Sequence, residues 1–277
     1  MRIANVEGRL VTFVGGRVVD VANESDGRFG PNPQSAFVDF NALVAWGSSI
    51  GASGGAELDL ATVGAPVPAP KQVFAIGLNY RLHALEGPFG VPDAPAVFTK
   101  FPNCIVGPRD VVTIPKPTTD YEVELVVAIS RRAEHVSKDD AWSYVAGYTI
   151  GQDISERTMQ RAGPAPQFSL AKSYVGFGPT GPWLVTLDEI EHHHDLALST
   201  TIGEDTLQDA RTSDLIFDVP FLIEYLSAVL PLDAGDLIFT GTPSGVGAAR
   251  TPPRWLQSGE MIISRIEGIG ELRTNLC

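Results

Sequence analysis

Cysteine is almost missing from this sequence. Cys104 and Cys277 are the only two, and they lie far apart. That excludes a disulfide framework and suits a reducing cytosol. Cys104 sits in Pro102-Asn103-Cys104-Ile105-Val106 with no histidine nearby, so it reads as a buried bystander rather than a nucleophile. Basic residues are also scarce. Twenty Lys and Arg face 33 Asp and Glu, a net charge of −13, and the longest basic run is Arg131-Arg132. Such a chain lacks the positive footprint that nucleic acid or an anionic membrane surface requires, so neither is expected as a partner. No apolar run approaches the roughly 18–20 residues that span a bilayer. The opening Met1-Arg2-Ile3-Ala4-Asn5-Val6-Glu7 has no apolar h-region of a signal peptide, and a cytoplasmic protein is the expectation. Nothing repeats at a fixed period, and no segment is of low complexity.

What is present is a globular composition, 277 residues with 44% hydrophobic content, enough for one large domain or one domain with a small appendage. Gly15-Gly16 between two apolar runs predicts a hairpin within residues 3–21. Phe37, Phe40, Leu43, Val44 and Trp46 predict a helix over 36–50, and 51–55 reads as a loop. The alternating prolines of Gly64-Ala65-Pro66-Val67-Pro68-Ala69-Pro70 stiffen the chain and place a boundary at about residue 65. A small N-terminal α/β domain (1–65) and a main body (66–277) are expected. Within the main body, Ser137 and Asp140 predict a helix ending at Gly147. Pro220 opens another helix whose Phe221, Leu222, Tyr225, Leu226 and Val229 read as core. Residues 261–266 and 270–274 read as closing strands.

The candidate chemistry centres on Asp120-Tyr121-Glu122-Val123-Glu124-Leu125-Val126-Val127-Ala128-Ile129. Its second half reads as a buried strand, and residues two apart on a strand share a face. Glu122 and Glu124 therefore project together, which invites either a wet strand end or a divalent cation with oxygen preference. His83 and Glu86, three apart after the strand Val73 to Gly77, share a helix face, as a general base and its orienting carboxylate would. A surface pair without consequence is the plain alternative. The Gly- and Pro-rich stretch from Gly87 to Pro95 suits a lid. Asp153 is either a site residue or, like Ser155, a cap for the next helix. Arg157 and Gln160 share that helix's face. Lys172 lies among apolar and aromatic neighbours and needs a partner or a task. Gly241 to Gly247 is not a P-loop, yet its amides suit a carboxylate. His192-His193-His194, flanked by acids, reads as a solvated loop rather than a metal site.

In order, Gly77-Leu78-Asn79-Tyr80 with His83 and Glu86, Asp120 to Glu124, Gly147-Tyr148-Thr149 with Asp153, Ser155 and Arg157, Lys172 with Gly181-Pro182, and Gly235 to Gly247 resemble the fumarylacetoacetate hydrolase superfamily over roughly residues 70–277. The resemblance implies a mixed α+β, mainly β fold, a mixed β-sandwich roll, assembled as a homodimer. It implies Mg²⁺ or Mn²⁺ held at Glu122, Glu124 and Asp153. Lys172 would stabilise developing negative charge. His83 and Glu86 would sit on a lid and activate water. Thr242 would hold a substrate carboxylate, with Arg157, Gln160, Gly241 and Tyr80 also around the substrate.

The chemistry implied is hydrolysis of a C–C bond in a 2,4-dioxo acid of acylpyruvate or fumarylpyruvate type, in aromatic or sugar-acid catabolism, through a stabilised enolate. Oxaloacetate decarboxylation and isomerisation of a 2-hydroxyhepta-2,4-diene-1,7-dioate-type diacid are alternatives through the same enolate. A binding protein that has lost turnover is a third. Two departures bear on the substrate. Leu82 and Val175 stand where many members carry Asp, and the second is expected to alter the surroundings of Lys172.

Overall fold

The structure, a computed structural model, describes residues 1–51, 55–87 and 90–277. Residues 52–54 of the expected 51–55 loop, and Pro88 and Phe89 of the expected lid, lie outside the described residues.

The expected strand becomes the middle of a large sheet. Val123–Ile129 is buried along its whole length. Val126 and Ala128 face one apolar core, and Val123, Leu125, Val127 and Ile129 face another. A strand covered on both sides carries the continuous apolar run seen here rather than an alternating one. The main path of the sheet runs Arg17–Asp20, Arg9–Val14, Arg2–Val6, Gly178–Val185, Val145–Gln152, Val123–Ile129, Leu237–Phe239, Val73–Gly77, Ala96–Thr99. Leu237–Phe239 and Val73–Gly77 are parallel, and Val123–Ile129 is antiparallel to Leu237–Phe239. A second sheet orders Asp205–Arg211, Ala197–Ile202, Met261–Ile266, Gly270–Leu276 and Val111–Val112. The helix Val219–Ser227 adds Leu222, Ile223 and Leu226 to the second core. The fold among the described residues is thus mainly β, two large sheets and a two-stranded ribbon of Thr119–Asp120 with Ser155–Glu156, joined by short helices, as expected.

The first 65 residues share their hydrogen bonds and their core with the rest. Arg2–Val6 pairs with Gly178–Val185, and Ile3, Leu10, Val21 and Leu43 pack in the core that holds Val126, Leu184 and Phe239. The proline segment after residue 65 is therefore crossed by both a sheet and a core. The hairpin at Gly15-Gly16 forms as expected.

Three local expectations change. Residues 137–147 form no long helix. Ser137 Oγ donates to Asp140 Oδ2 at 2.7 Å, closing a turn, and one 3-10 turn at Ala141–Tyr144 leads into the strand Val145–Gln152. Gly147 is not a helix stop; a Cβ there would sit 2.2 Å from the carbonyl oxygen of Val185, so it permits a close strand crossing. The 36–50 helix divides into a 3-10 turn, Pro33–Phe37, and a helix, Phe40–Gly47, capped by Asp39. On Val219–Ser227, Leu222 and Leu226 are core as expected, but Tyr225 and, just beyond it, Val229 are exposed, since they lie on the face turned from the sheets. Among the described residues, no helix is long and apolar enough to cross a membrane.

Candidate active site and metal centre

The topology delivers the candidate residues to one end of the large sheet. Because Val73–Gly77 and Leu237–Phe239 are parallel neighbours, the segments that follow them emerge together. The first leads to the helix Arg81–Glu86, which carries His83 and Glu86. The second leads to the loop from Gly241 to Gly247. Val123–Ile129 runs the other way, so Glu122 and Glu124 start at that same end. These elements enclose a cavity of about 450 Å³ whose wall includes His83, Glu86, Glu122, Glu124, Arg157, Gln160, Lys172 and Thr242.

Glu122, Glu124 and Asp153 are all buried, and one ligand oxygen from each lies within 4.8 Å of the others. The wet-strand alternative for the two glutamates does not hold. Lys172 Nζ donates to Glu122 Oε2 at 2.7 Å and to Asp153 Oδ2 at 2.6 Å. Lys100 Nζ donates to Asp153 Oδ1 at 2.6 Å, to the Phe177 carbonyl at 3.1 Å and to the Lys172 carbonyl. Arg157 donates to Glu122 Oε1 at 2.6 Å, to Asp120 Oδ2 at 2.8 Å and to Gln160 Oε1 at 2.9 Å. Asp153 caps no helix. Glu156 caps the short helix Arg157–Gln160 instead.

The two glutamates meet opposite electrostatics. Burial opposes the charge of Glu122, but Lys172 and Arg157 outweigh it and hold the carboxyl at about 2. Burial pushes Glu124 well above the usual carboxylate range, and Asp153 and Glu122 push it further. Its Oε2 accepts the Gly241 amide at 2.8 Å. Burial likewise opposes the charge of Lys172, yet Asp153 and Glu122 prevail and raise its ammonium above its ordinary value. Four carboxyls, Asp120, Glu122, Glu124 and Asp153, thus meet three cations, Lys100, Lys172 and Arg157, and Glu124 is the one left unbalanced. An all-oxygen set with one surplus acid fits a hard divalent cation.

His83 Nδ1 lies 2.9 Å from Glu86 Oε2, and Glu86 Oε1 accepts the Gly245 amide at 2.7 Å. With both Glu86 oxygens accepting, His83 donates from Nδ1 and its Nε2 is left for the cavity. The helix Arg81–Glu86 is thereby fastened to the loop. Gly245 has φ +103°, and a Cβ there would come 2.2 Å from the Leu207 carbonyl oxygen, so only glycine brings that amide into place.

Several expected substrate contacts take other roles. The Gly241 amide is spent on Glu124. Thr242 lines the cavity, but its hydroxyl donates to the Val123 carbonyl at 2.9 Å and accepts from Gln208 at 2.7 Å, so its one proton is committed to the sheet. Tyr80 is not on the cavity wall. Its ring is buried with Val123 and Leu125, where it seats the start of the helix Arg81–Glu86. Leu82 and Val175 are 63% and 75% exposed, and the partners of Lys172 are Glu122 and Asp153. Lys100 and Asp120 were not singled out for any role. Asp120 joins Arg157 to the amides of Gly247 and Ala248. Lys100 ends an apolar strand, a pattern that ordinary solvated lysines share. Of the 192–194 histidines expected in a solvated loop, His192 and His194 are exposed, whereas His193 packs on Trp142.

The family model described as fumarylacetoacetate (FAA) hydrolase C-terminal matches residues 72–277. The oxaloacetate tautomerase YisK of Bacillus subtilis is 42% identical over 76% of this chain and 72% of its own length. The mitochondrial oxaloacetate tautomerase FAHD2A of Homo sapiens is 38% identical over 74% of this chain, which spans 66% of that relative. Among solved structures, a Mycobacterium smegmatis protein whose structure carries the designation HpcE is 47% identical, with TM-score 0.95 over 100% of this chain and 99% of that one. Maleylpyruvate hydrolase from Sphingobium, solved with manganese(II) and pyruvate, is 28% identical, with TM-score 0.81 over 100% and 98%.

Proposed function

The chain belongs to the fumarylacetoacetate hydrolase family, and within it we propose a divalent-metal-dependent enzyme that interconverts the enol and keto forms of a 2-oxo acid, oxaloacetate being the first substrate to test. The observation that carries this reading is His83, whose Nε2 is left for a cavity that also holds Lys172, Glu122 and Glu124, with Asp153 buried beside them. The tautomerase names of relatives at 38% and 42% identity support it over C–C hydrolysis as the main activity.

Ketonisation takes a proton from the enol hydroxyl at C2 and adds one at C3, with no net change in atoms or charge. His83, oriented by Glu86, is placed to deliver or accept the C3 proton. Lys172 has three N–H groups and spends two on Glu122 and Asp153, so the third is left for the oxygen on which negative charge develops. Lys100 holds Asp153 from behind, and Arg157 holds Glu122, so the carboxylates keep their positions. Mg²⁺ or Mn²⁺ held by Glu122, Glu124 and Asp153 would supply Lewis acidity toward the oxygens of the 2-oxo acid.

The decay of enol oxaloacetate, followed by ultraviolet absorbance, should run faster with protein and Mn²⁺ than with Mn²⁺ alone. EDTA should remove the gain, and His83→Ala should remove on the order of a hundredfold of it. A rate no greater than free metal gives would overturn the reading. Hydrolysis of an acylpyruvate is the second reading, favoured by the maleylpyruvate hydrolase likeness and by the suitability of the same His83–Glu86 pair for activating water. Pyruvate release from an acylpyruvate with a higher kcat/KM than oxaloacetate ketonisation would make it the main one.

A further inference from the structure

We propose that Arg161 is a specificity-determining residue that receives the distal carboxylate of a dicarboxylic 2-oxo acid. The inference rests on the 2-oxo acid reading of the site and adds the class of acid that the site selects.

Three long cations line the cavity, Arg157, Arg161 and Lys172. Two of them are neutralised from within the protein. Arg157 pairs with Asp120 and Glu122, and Lys172 pairs with Glu122 and Asp153. Arg161 differs. Among the described residues its guanidinium forms no ion pair and no hydrogen bond, in a chain with 33 acidic residues and only 20 Lys and Arg. Unlike the buried Arg157 and Lys172, Arg161 is exposed where it lines the cavity, so in a protein of net charge −13 it offers an anionic substrate a positive charge reached from solvent.

Its position suits the far end of a substrate. Arg161 follows the helix Arg157–Gln160 directly, four residues beyond Arg157, which is about 6 Å along a helix axis. Arg157 reaches Glu122 at the reacting end, so Arg161 stands one turn further out. The cavity wall also carries apolar residues, Leu78, Phe98, Pro166 and Phe168. Apolar walls together with a carboxylate-ready fork match an acid charged at both ends. The guanidinium fork takes a carboxylate through two parallel hydrogen bonds. A cavity of about 450 Å³ leaves room for such a chain.

The test uses Mn²⁺-loaded protein and calorimetry with paired probes that share a 2-oxo acid head. 2-Oxoglutarate is compared with 2-oxovalerate, and 2-oxoadipate with 2-oxohexanoate, each pair differing by a carboxylate in place of a methyl. Oxalate, which has no distal group, is the reference. Wild-type protein should favour the diacid of at least one pair by about tenfold or more. Arg161→Gln should reduce that preference to about twofold or less, Arg161→Lys should keep part of it, and oxalate affinity should stay unchanged in both. No preference in either pair, or a preference that survives Arg161→Gln, or an equal loss of oxalate binding, would overturn the inference while the site reading stands. Failure of wild-type protein to bind oxalate with Mn²⁺ would instead overturn the site reading and the inference with it.

Discussion

Two glutamates one residue apart in role and two apart in sequence have opposite relations to stability. Glu122 is gripped by Lys172 and Arg157; Glu124 has an amide and the repulsion of its neighbours. In metal-free protein, Glu122→Gln should cost stability toward the lower end of roughly 3–5 kcal/mol, because each cation keeps one other carboxylate. Glu124→Gln should be neutral or stabilising, since it removes an acid that burial already opposes. Mn²⁺ should raise the Tm of the wild type, and both variants should lose that rise. Thermal and urea unfolding with and without Mn²⁺ would show this, and equal damage from the two substitutions without metal would refute it. The acid side has a fixed sign. The folded-state value of Glu122, about 2, lies below the ordinary 4.5, so its contribution is complete above pH 4.5 and is lost as pH falls toward 2. The gap between wild type and Glu122→Gln should close over that window. At this scale the sequence showed the acids, because period two on an apolar strand is a strong signal. It did not show Lys100, because nothing local distinguishes a lysine that ends in a core from one that ends in water.

The loop from Gly241 to Gly247 was legible as a carboxylate binder, but the carboxylates it holds are the protein's own. Gly241 takes Glu124, Gly245 takes Glu86, and Gly247 with Ala248 takes Asp120. A run of glycines advertises free amides; it does not say which acid reaches them, since Glu86 is 159 residues from Gly245. Gly245→Ala should push the loop off the Leu207 carbonyl and release Glu86. We expect KM for oxaloacetate to rise about tenfold, roughly the worth of one hydrogen bond to a charged group. Amide exchange in Arg81–Glu86 should quicken, and unchanged exchange there would count against the latch. The misread helix at 137–147 has the converse cause. Its capping signal was real, but Val145 to Ile150 gain more by pairing with Val123–Ile129 than a helix offers.

At the scale of the molecule, the two-sheet character and the clustering of the site residues were legible through the superfamily resemblance. The continuity of residues 1–65 with the main sheet was not, because sheet partners far apart in sequence leave no local mark. Removing residues 1–65 should therefore do more than trim an appendage. Gly178–Val185 loses its neighbour Arg2–Val6, and Leu184 and Val126 lose Ile3, Leu10 and Leu43. The shortened chain should be aggregation-prone or unfold at much lower urea, and a soluble fragment with wild-type unfolding midpoint would refute this.

The parallel neighbours Val73–Gly77 and Leu237–Phe239 set the order in which this protein can come into being. As the chain leaves the ribosome, the helix Arg81–Glu86 and the acidic strand are made early, yet Leu237–Phe239, which lies between Val73–Gly77 and Val123–Ile129 in the one sheet, arrives only after residue 236. Until then Val73–Gly77 and Val123–Ile129 have no bridge, and Glu86 has no latch. A closure of such long sequence separation is slow, and a nascent chain halted before residue 237 carries nearly every reacting side chain and no assembled site.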